Sequence, residues 1–124
     1  MNKKALVIDD TYDDLETAKD VLEKNGFKVI TCTNAQEGLE VLESFRPDLI
    51  LCNIMMPMID GYEYVRKMPP DIRKNTKVVF ISIVPDKEAN LKDVDGFVQK
   101  PFTPESLMEE VRRVLGKNES GSAE

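Results

Sequence analysis

The sequence predicts a doubly wound α/β fold, a five-stranded parallel sheet covered by helices on both faces. Two observations predict it. Short apolar runs recur five times along the chain, and segments with helical periodicity lie between most of them. Strands that alternate with helices pair in parallel, because each crossover carries the chain back to its starting edge before the next strand begins.

The first strand is Ala5–Ile8, and it ends in Asp9-Asp10. From Asp13 to Lys24, Leu15, Ala18, Val21 and Leu22 recur at helical spacing, and Asn25-Gly26 supplies a stop. Phe27–Thr33 is the second strand. Asn34 has the character of an N-cap, with Glu37 three residues on, and Leu39, Val41, Leu42 and Phe45 give the next helix its buried face. Pro47 breaks that helix, and Asp48–Cys52 follows as a buried strand. Gly61–Met68 reads as a short helix ended by Pro69-Pro70. Lys77–Ser82 is the fourth strand and Gly96–Val98 the fifth. Thr103-Pro104 opens the last helix as N-cap and first turn, Leu107, Val111, Val114 and Leu115 line its inner face, and Gly116 ends it. Residues 1–116 thus form one domain, and 117–124, rich in Gly, Ser and Glu, read as a flexible tail.

Composition narrows the function. Hydrophobic residues are 41% and charged residues 32% of 124, the balance of a globular domain with one core. No apolar run is long enough to span a bilayer, and Met1-Asn2-Lys3-Lys4 leads straight into a strand with no signal core, so a cytoplasmic location is expected. The net charge of −6 disfavours a nucleic-acid surface, which requires a basic patch. There is no histidine, which excludes a phosphohistidine carrier and a His-dependent hydrolase. Cys32 and Cys52 lie in separate strands and are expected to stay reduced.

In a parallel α/β sheet, ligands gather beyond the carboxyl ends of the strands. The polar residues there are Asp9-Asp10, Asn53, Ser82 and Lys100. The segments that carry them are Val7-Ile8-Asp9-Asp10, Pro47 through Gly61, Val78-Val79-Phe80-Ile81-Ser82, and Phe97-Val98-Gln99-Lys100-Pro101-Phe102. Together they resemble the receiver domains of two-component response regulators over nearly the whole chain.

The resemblance implies a flavodoxin-like strand order of 2-1-3-4-5 and a phosphorelay role. In that family an aspartate accepts a phosphoryl group from a histidine kinase. The corresponding position here is Asn53. By the same resemblance Asp9, Asp10, position 53 and the Met55 backbone would hold Mg²⁺, with Asp10 the direct ligand. Ser82 would bond a phosphoryl oxygen, Lys100 before a cis proline would neutralise charge, and Phe97 would report the state of the site as a switch.

Departures from the pattern set the functional expectation. A carboxamide supplies no carboxylate to attack phosphorus, so the covalent step has lost its nucleophile. Ile83 stands where the family has a small residue, and it is expected to crowd the phosphoryl position. The helix between the fourth and fifth strands is expected to be shortened, mobile and poorly packed, because Ala89, Leu91 and Val94 are too few for a buried stripe. Mg²⁺ binding is expected to be weakened or absent. The expected role is a non-enzymatic protein–protein interaction module, monomeric or weakly dimeric. Its partner would be a histidine kinase or a downstream output protein rather than nucleic acid or a membrane. The alternative is a conventional phospho-accepting receiver carrying an Asp-to-Asn substitution. An aspartyl-phosphate phosphatase is disfavoured because Asp9-Asp10-Thr11 is not Asp-x-Asp, and a flavin carrier because the acidic loop would repel phosphate.

Overall fold

The computed structural model describes the backbone of residues 3–123 and the side chains of residues 3–116. The chain forms β1 (Lys4–Ile8), α1 (Tyr12–Lys24), β2 (Lys28–Cys32), α2 (Ala35–Glu40), α3 (Leu42–Phe45), β3 (Leu49–Asn53), α4 (Gly61–Lys67), α5 (Pro70–Arg73), β4 (Lys77–Ser82), β5 (Gly96–Gln99) and α6 (Pro104–Ala123). The sheet order is β2-β1-β3-β4-β5, and each pair is parallel. Fold class and strand order are as the sequence predicts.

Side chains alternate across the sheet, so each central strand feeds two cores. Ala5, Val7, Leu49, Leu51, Val79 and Ile81 face α1 and α6, where Leu15, Ala18, Leu22, Leu107, Val111 and Val114 meet them. Leu6, Ile8, Ile50, Cys52, Val78 and Phe80 face the other side, against Leu42, Phe45, Tyr64, Val65 and Ile72. Burial of each large side chain contributes about 1.5–3 kcal/mol as an upper figure. Double-sided burial also explains why β3 reads as an unbroken apolar run, Leu49–Cys52, rather than an alternating one. Ile8 pairs with Cys32 on one side and Cys52 on the other. Two strand spacings, about 9–10 Å, then separate the thiols, too far for a disulfide, and both are free.

Several local expectations are corrected. The segment after Asn34 is two short helices rather than one. Its inner face carries Ala35, Gly38, Leu42 and Phe45, while Leu39 and Val41 are only half-buried. Gly38 sets this face: a Cβ there would stand 2.5 Å from Ile8 Cδ1 and 3.1 Å from Tyr64 Cε1, and the Tyr64 hydroxyl donates to the Gly38 carbonyl at 3.0 Å. The capping role of Asn34 holds, with its side chain accepting from the Glu37 N–H at 2.8 Å. The Glu37 carboxylate, however, reaches back to the Thr33 N–H rather than to Asn34. After α4, Pro70 opens the short helix α5, which the sequence reading leaves as a terminator. Gly116 does not end the last helix, whose backbone runs on to Ala123. A glycine held in helical dihedrals costs only about 1 kcal/mol, so it interrupts a helix only where a left-handed turn is stabilised in its place.

The largest correction lies between β4 and β5. The described residues there form no helix. They show two hydrogen-bonded turns: the Glu88 and Ala89 N–H groups donate to the Pro85 carbonyl at 2.9 and 3.0 Å, and the Val94 N–H donates to the Leu91 carbonyl at 3.3 Å. The segment is nevertheless packed: Ala89, Leu91, Val94 and Phe97 lie half-buried against the Tyr64–Phe80 core. Polar ties replace the missing helical ladder. The Tyr62 hydroxyl, whose ring stands edge-on to Phe80, accepts from the Asn90 N–H at 3.1 Å. Arg73 donates to the Asp93 carbonyl at 2.7 Å, and Asp95 accepts from the Val78 N–H at 2.9 Å. Three apolar residues cannot support a helix of two turns, but they suffice to seat a loop whose backbone is tied elsewhere.

Two substitutions test this architecture. In Tyr62→Phe the ring stays and the acceptor for Asn90 is lost. Hydrogen exchange should quicken at the Asn90 amide and leave Val78–Ile81 unchanged. Gly61 opens α4 against the strand that carries Asn53, and a Cβ there would lie 2.7 Å from the Asn53 carbonyl oxygen and 2.9 Å from Ile54 Cα. Both obstacles are backbone, so Gly61→Ala should lower the free energy of unfolding in urea by about 1–3 kcal/mol.

Candidate functional site

The carboxyl ends of β1, β3, β4 and β5 bring the polar residues to one edge of the sheet. Asn53 and Ser82 close β3 and β4, and Asp9 and Lys100 are held by backbone pairing just beyond β1 and β5. The Asp9 N–H donates to the Cys32 carbonyl at 3.1 Å, and the Lys100 N–H to the Ser82 carbonyl at 2.9 Å. Ile8 is in register with Cys52, which sets Asp9 beside Asn53. The Lys100–Pro101 peptide is cis.

Two linked groups form the cluster. Lys100 Nζ lies 2.9 Å from Asp9 Oδ2 and 2.9 Å from Asp14 Oδ2, with the Lys100 and Asp9 side chains both buried. The other Asp9 oxygen, Oδ1, accepts from the Thr11 N–H at 2.9 Å. Beside this triad, Asn53 Nδ2 donates to Asp10 Oδ1 at 3.0 Å and to the Met55 carbonyl at 3.0 Å. Asn53 is 6% exposed, whereas Asp10 is open to solvent. Ser82 is fully buried, and its hydroxyl oxygen accepts from the Val84 N–H at 3.1 Å.

Burial pushes the Asp9 carboxyl above its ordinary range, although the Thr11 N–H and the Lys100 ammonium pull the other way. Burial lowers the Lys100 pKa, but the bonds to Asp14 and Asp9 outweigh it and hold the ammonium above its usual range. A raised lysine pKa means that the ammonium stabilises the fold fully below the ordinary lysine range. That contribution is lost as pH rises through the folded value.

Asp9, Asp10, Asn53, Ser82, Lys100 and the Met55 carbonyl, all singled out in the sequence, lie in this region of the fold. Asp14 is the residue that sequence reasoning passed over. It sits in the first turn of α1, and its acidic character there was a visible signal. With Asp14 included, three carboxylates and one ammonium leave the cluster with two net negative charges. Phe97 lies apart on β5, half-buried, and its N–H donates to Glu110 at 2.9 Å. Ile83, the residue after Ser82, is 70% exposed.

Set against a divalent cation, the residues as arranged do not fit. Mg²⁺ takes oxygen ligands in near-octahedral array. Here both Asp9 oxygens are bonded by hydrogen donors, and Asp10 Oδ1 and the Met55 carbonyl face the Asn53 amide hydrogens.

Residues 5–112 match the family described as the response regulator receiver domain. The chain belongs to that family. It is 31% identical to the alkaline phosphatase synthesis transcriptional regulatory protein PhoP of Bacillus subtilis, over 96% of this chain and 51% of that protein. It is 33% identical to the response regulator Rre1 of Synechocystis, over 94% of this chain and 53% of that protein. The chain thus spans about half the length of these curated relatives. Among solved structures, a CheY-like receiver domain protein from Methanospirillum hungatei aligns with a TM-score of 0.83 at 26% identity, covering 98% of this chain and 100% of that one.

The Lys100 triad gives this receiver a test at its acidic edge. Lys100→Met strands the buried Asp9 charge and should destabilise the fold by about 3 kcal/mol at neutral pH. Without the ammonium, the Asp9 pKa in the folded state rises further. The penalty is therefore present above the ordinary carboxylate range and shrinks as acidification lets Asp9 bind a proton in the fold. Urea unfolding at neutral and acidic pH should show the two proteins converging toward low pH.

Proposed function

We propose that this chain is a receiver module of two-component signalling that works by docking a protein partner and does not accept a phosphoryl group. The observation that carries the reading is Asn53 at the position of the accepting aspartate, with its amide nitrogen bonded to Asp10 and the Met55 carbonyl. A carboxamide cannot form an acyl phosphate by attack on phosphorus, and among the described residues no other carboxylate ends β3.

A docking role is supported by the rim of the site. Among the described residues, Tyr12, Met55, Met58 and Ile83 are the large hydrophobic residues that stand exposed, 69%, 60%, 97% and 70%. They follow β1, β3 and β4, so all four lie around the same edge of the sheet. Apolar groups gathered on one face mark an interaction surface more often than those scattered singly. The partner in this reading is a histidine kinase or an output protein, in the cytoplasm, with the domain monomeric or weakly dimeric and without catalysis of its own. No described helix is long and apolar enough to cross a membrane.

A second reading has a specific observation behind it. Asp9, Asp10, Ser82 and Lys100 are all retained in the region, as a conventional phospho-accepting receiver with an Asp-to-Asn change would retain them. Intact mass after incubation with acetyl phosphate and Mg²⁺ tests the first reading. The chain should gain nothing, and Asn53→Asp should gain one phosphoryl group at least in part. A phosphoryl group found on an aspartate near this site in the unaltered chain would overturn the proposal.

A further inference from the structure

We propose that the Asn53 carboxamide stands in for a divalent cation, so that the acidic edge of this receiver is closed by the protein itself and takes no inner-sphere metal. The two hydrogens on Nδ2 point at two different acceptors, Asp10 Oδ1 and the Met55 carbonyl, each at 3.0 Å. One donor nitrogen therefore ties the loop after β1 to the loop after β3. A metal ion bound between these oxygens would make the same link.

The orientation of the amide follows from its neighbours. With the amide turned over, its carbonyl oxygen would face a carboxylate and a carbonyl, three acceptors together with no hydrogen among them. A cation would stabilise that arrangement but finds few ligands to enter with. Asp9 is committed through one oxygen to Lys100 and through the other to the Thr11 N–H. Asp14 is committed to Lys100 as well. Asp10 alone remains as a carboxylate without a cationic partner in the cluster, and coordination through its Oδ1 would break the hydrogen bond from Asn53. Mg²⁺ gives up its water reluctantly, and one available carboxylate is a poor exchange for it. The two net negative charges still draw cations, but as a diffuse atmosphere that salt screens around exposed Asp10.

This rests on the reading of Asn53 as a disabled acceptor position, yet it can fail independently. The test is a titration with Mn²⁺ and with Mg²⁺, followed by nuclear magnetic resonance of the whole chain. In the unaltered protein, Mn²⁺ should give no saturating line broadening centred on Asp10 and Met55. The Asn53 side-chain N–H resonances should hold their shifts through millimolar Mg²⁺. Asn53→Asp replaces the donors with a carboxylate and should show saturable Mn²⁺ broadening at the same residues. Saturable broadening at Asp10 in the unaltered chain would overturn the proposal, as would Mg²⁺-dependent movement of the Asn53 side-chain resonances. Failure of a folded Asn53→Asp protein to bind either ion would also overturn it, because the amide would then not be what excludes the metal. If Asn53→Asp does not fold, the measurements on the unaltered chain decide alone. A phosphoryl group gained from acetyl phosphate would instead defeat the functional reading and leave the outcome of this titration standing.

Discussion

A parallel sheet sends all its strands out through one edge, because each crossover returns the chain to the other. That constraint places nearly everything polar in this domain. β1, β3, β4 and β5 end within reach of one another, and the residues that follow or close them, Asp9, Asn53, Ser82 and Lys100, have nowhere else to go. The apolar faces beneath them fix the register to a single residue, since a slip by one would turn both cores inside out. The same register that buries Ile8 against Cys52 sets Asp9 beside Asn53.

The acidic edge is a problem in charge, and it is met in two ways. Lys100 is drawn in between Asp9 and Asp14, where it offsets the cost of burying Asp9. Asp10 is left in water, and its remaining neighbour is an amide rather than a second carboxylate. An aspartate at position 53 would add a fourth negative charge beside the other three and would call for a counter-ion. Asparagine removes that charge and adds two donors. The region is then satisfied from within: among the described residues no buried side-chain polar atom lacks a partner.

The connection from β4 to β5 shows the same economy by other means. Where a helix would carry its own hydrogen bonds, this loop borrows Tyr62, Arg73 and Asp95. It is seated on the core without regular structure, so packing and helicity need not go together.

Apolar patterning determined the five strands, their parallel pairing and the long helices α1 and α6, because burial of alternating faces leaves few other arrangements for such a pattern. The residue types at strand ends determined the candidate site, and with it the carboxamide at position 53. Tertiary structure decided what depends on contacts distant in sequence. Asp14 joins the site only because Lys100, on the far side of the chain, swings to it. The helix after Asn34 divides, and buries Gly38 rather than Leu39, because Ile8 and Tyr64 already occupy the space a larger side chain would take. The Asn53 amide binds Asp10 and Met55 rather than water because folding brings their acceptors within 3.0 Å of one nitrogen. Local sequence specifies which groups a segment can offer; only the packed fold specifies which of them meet.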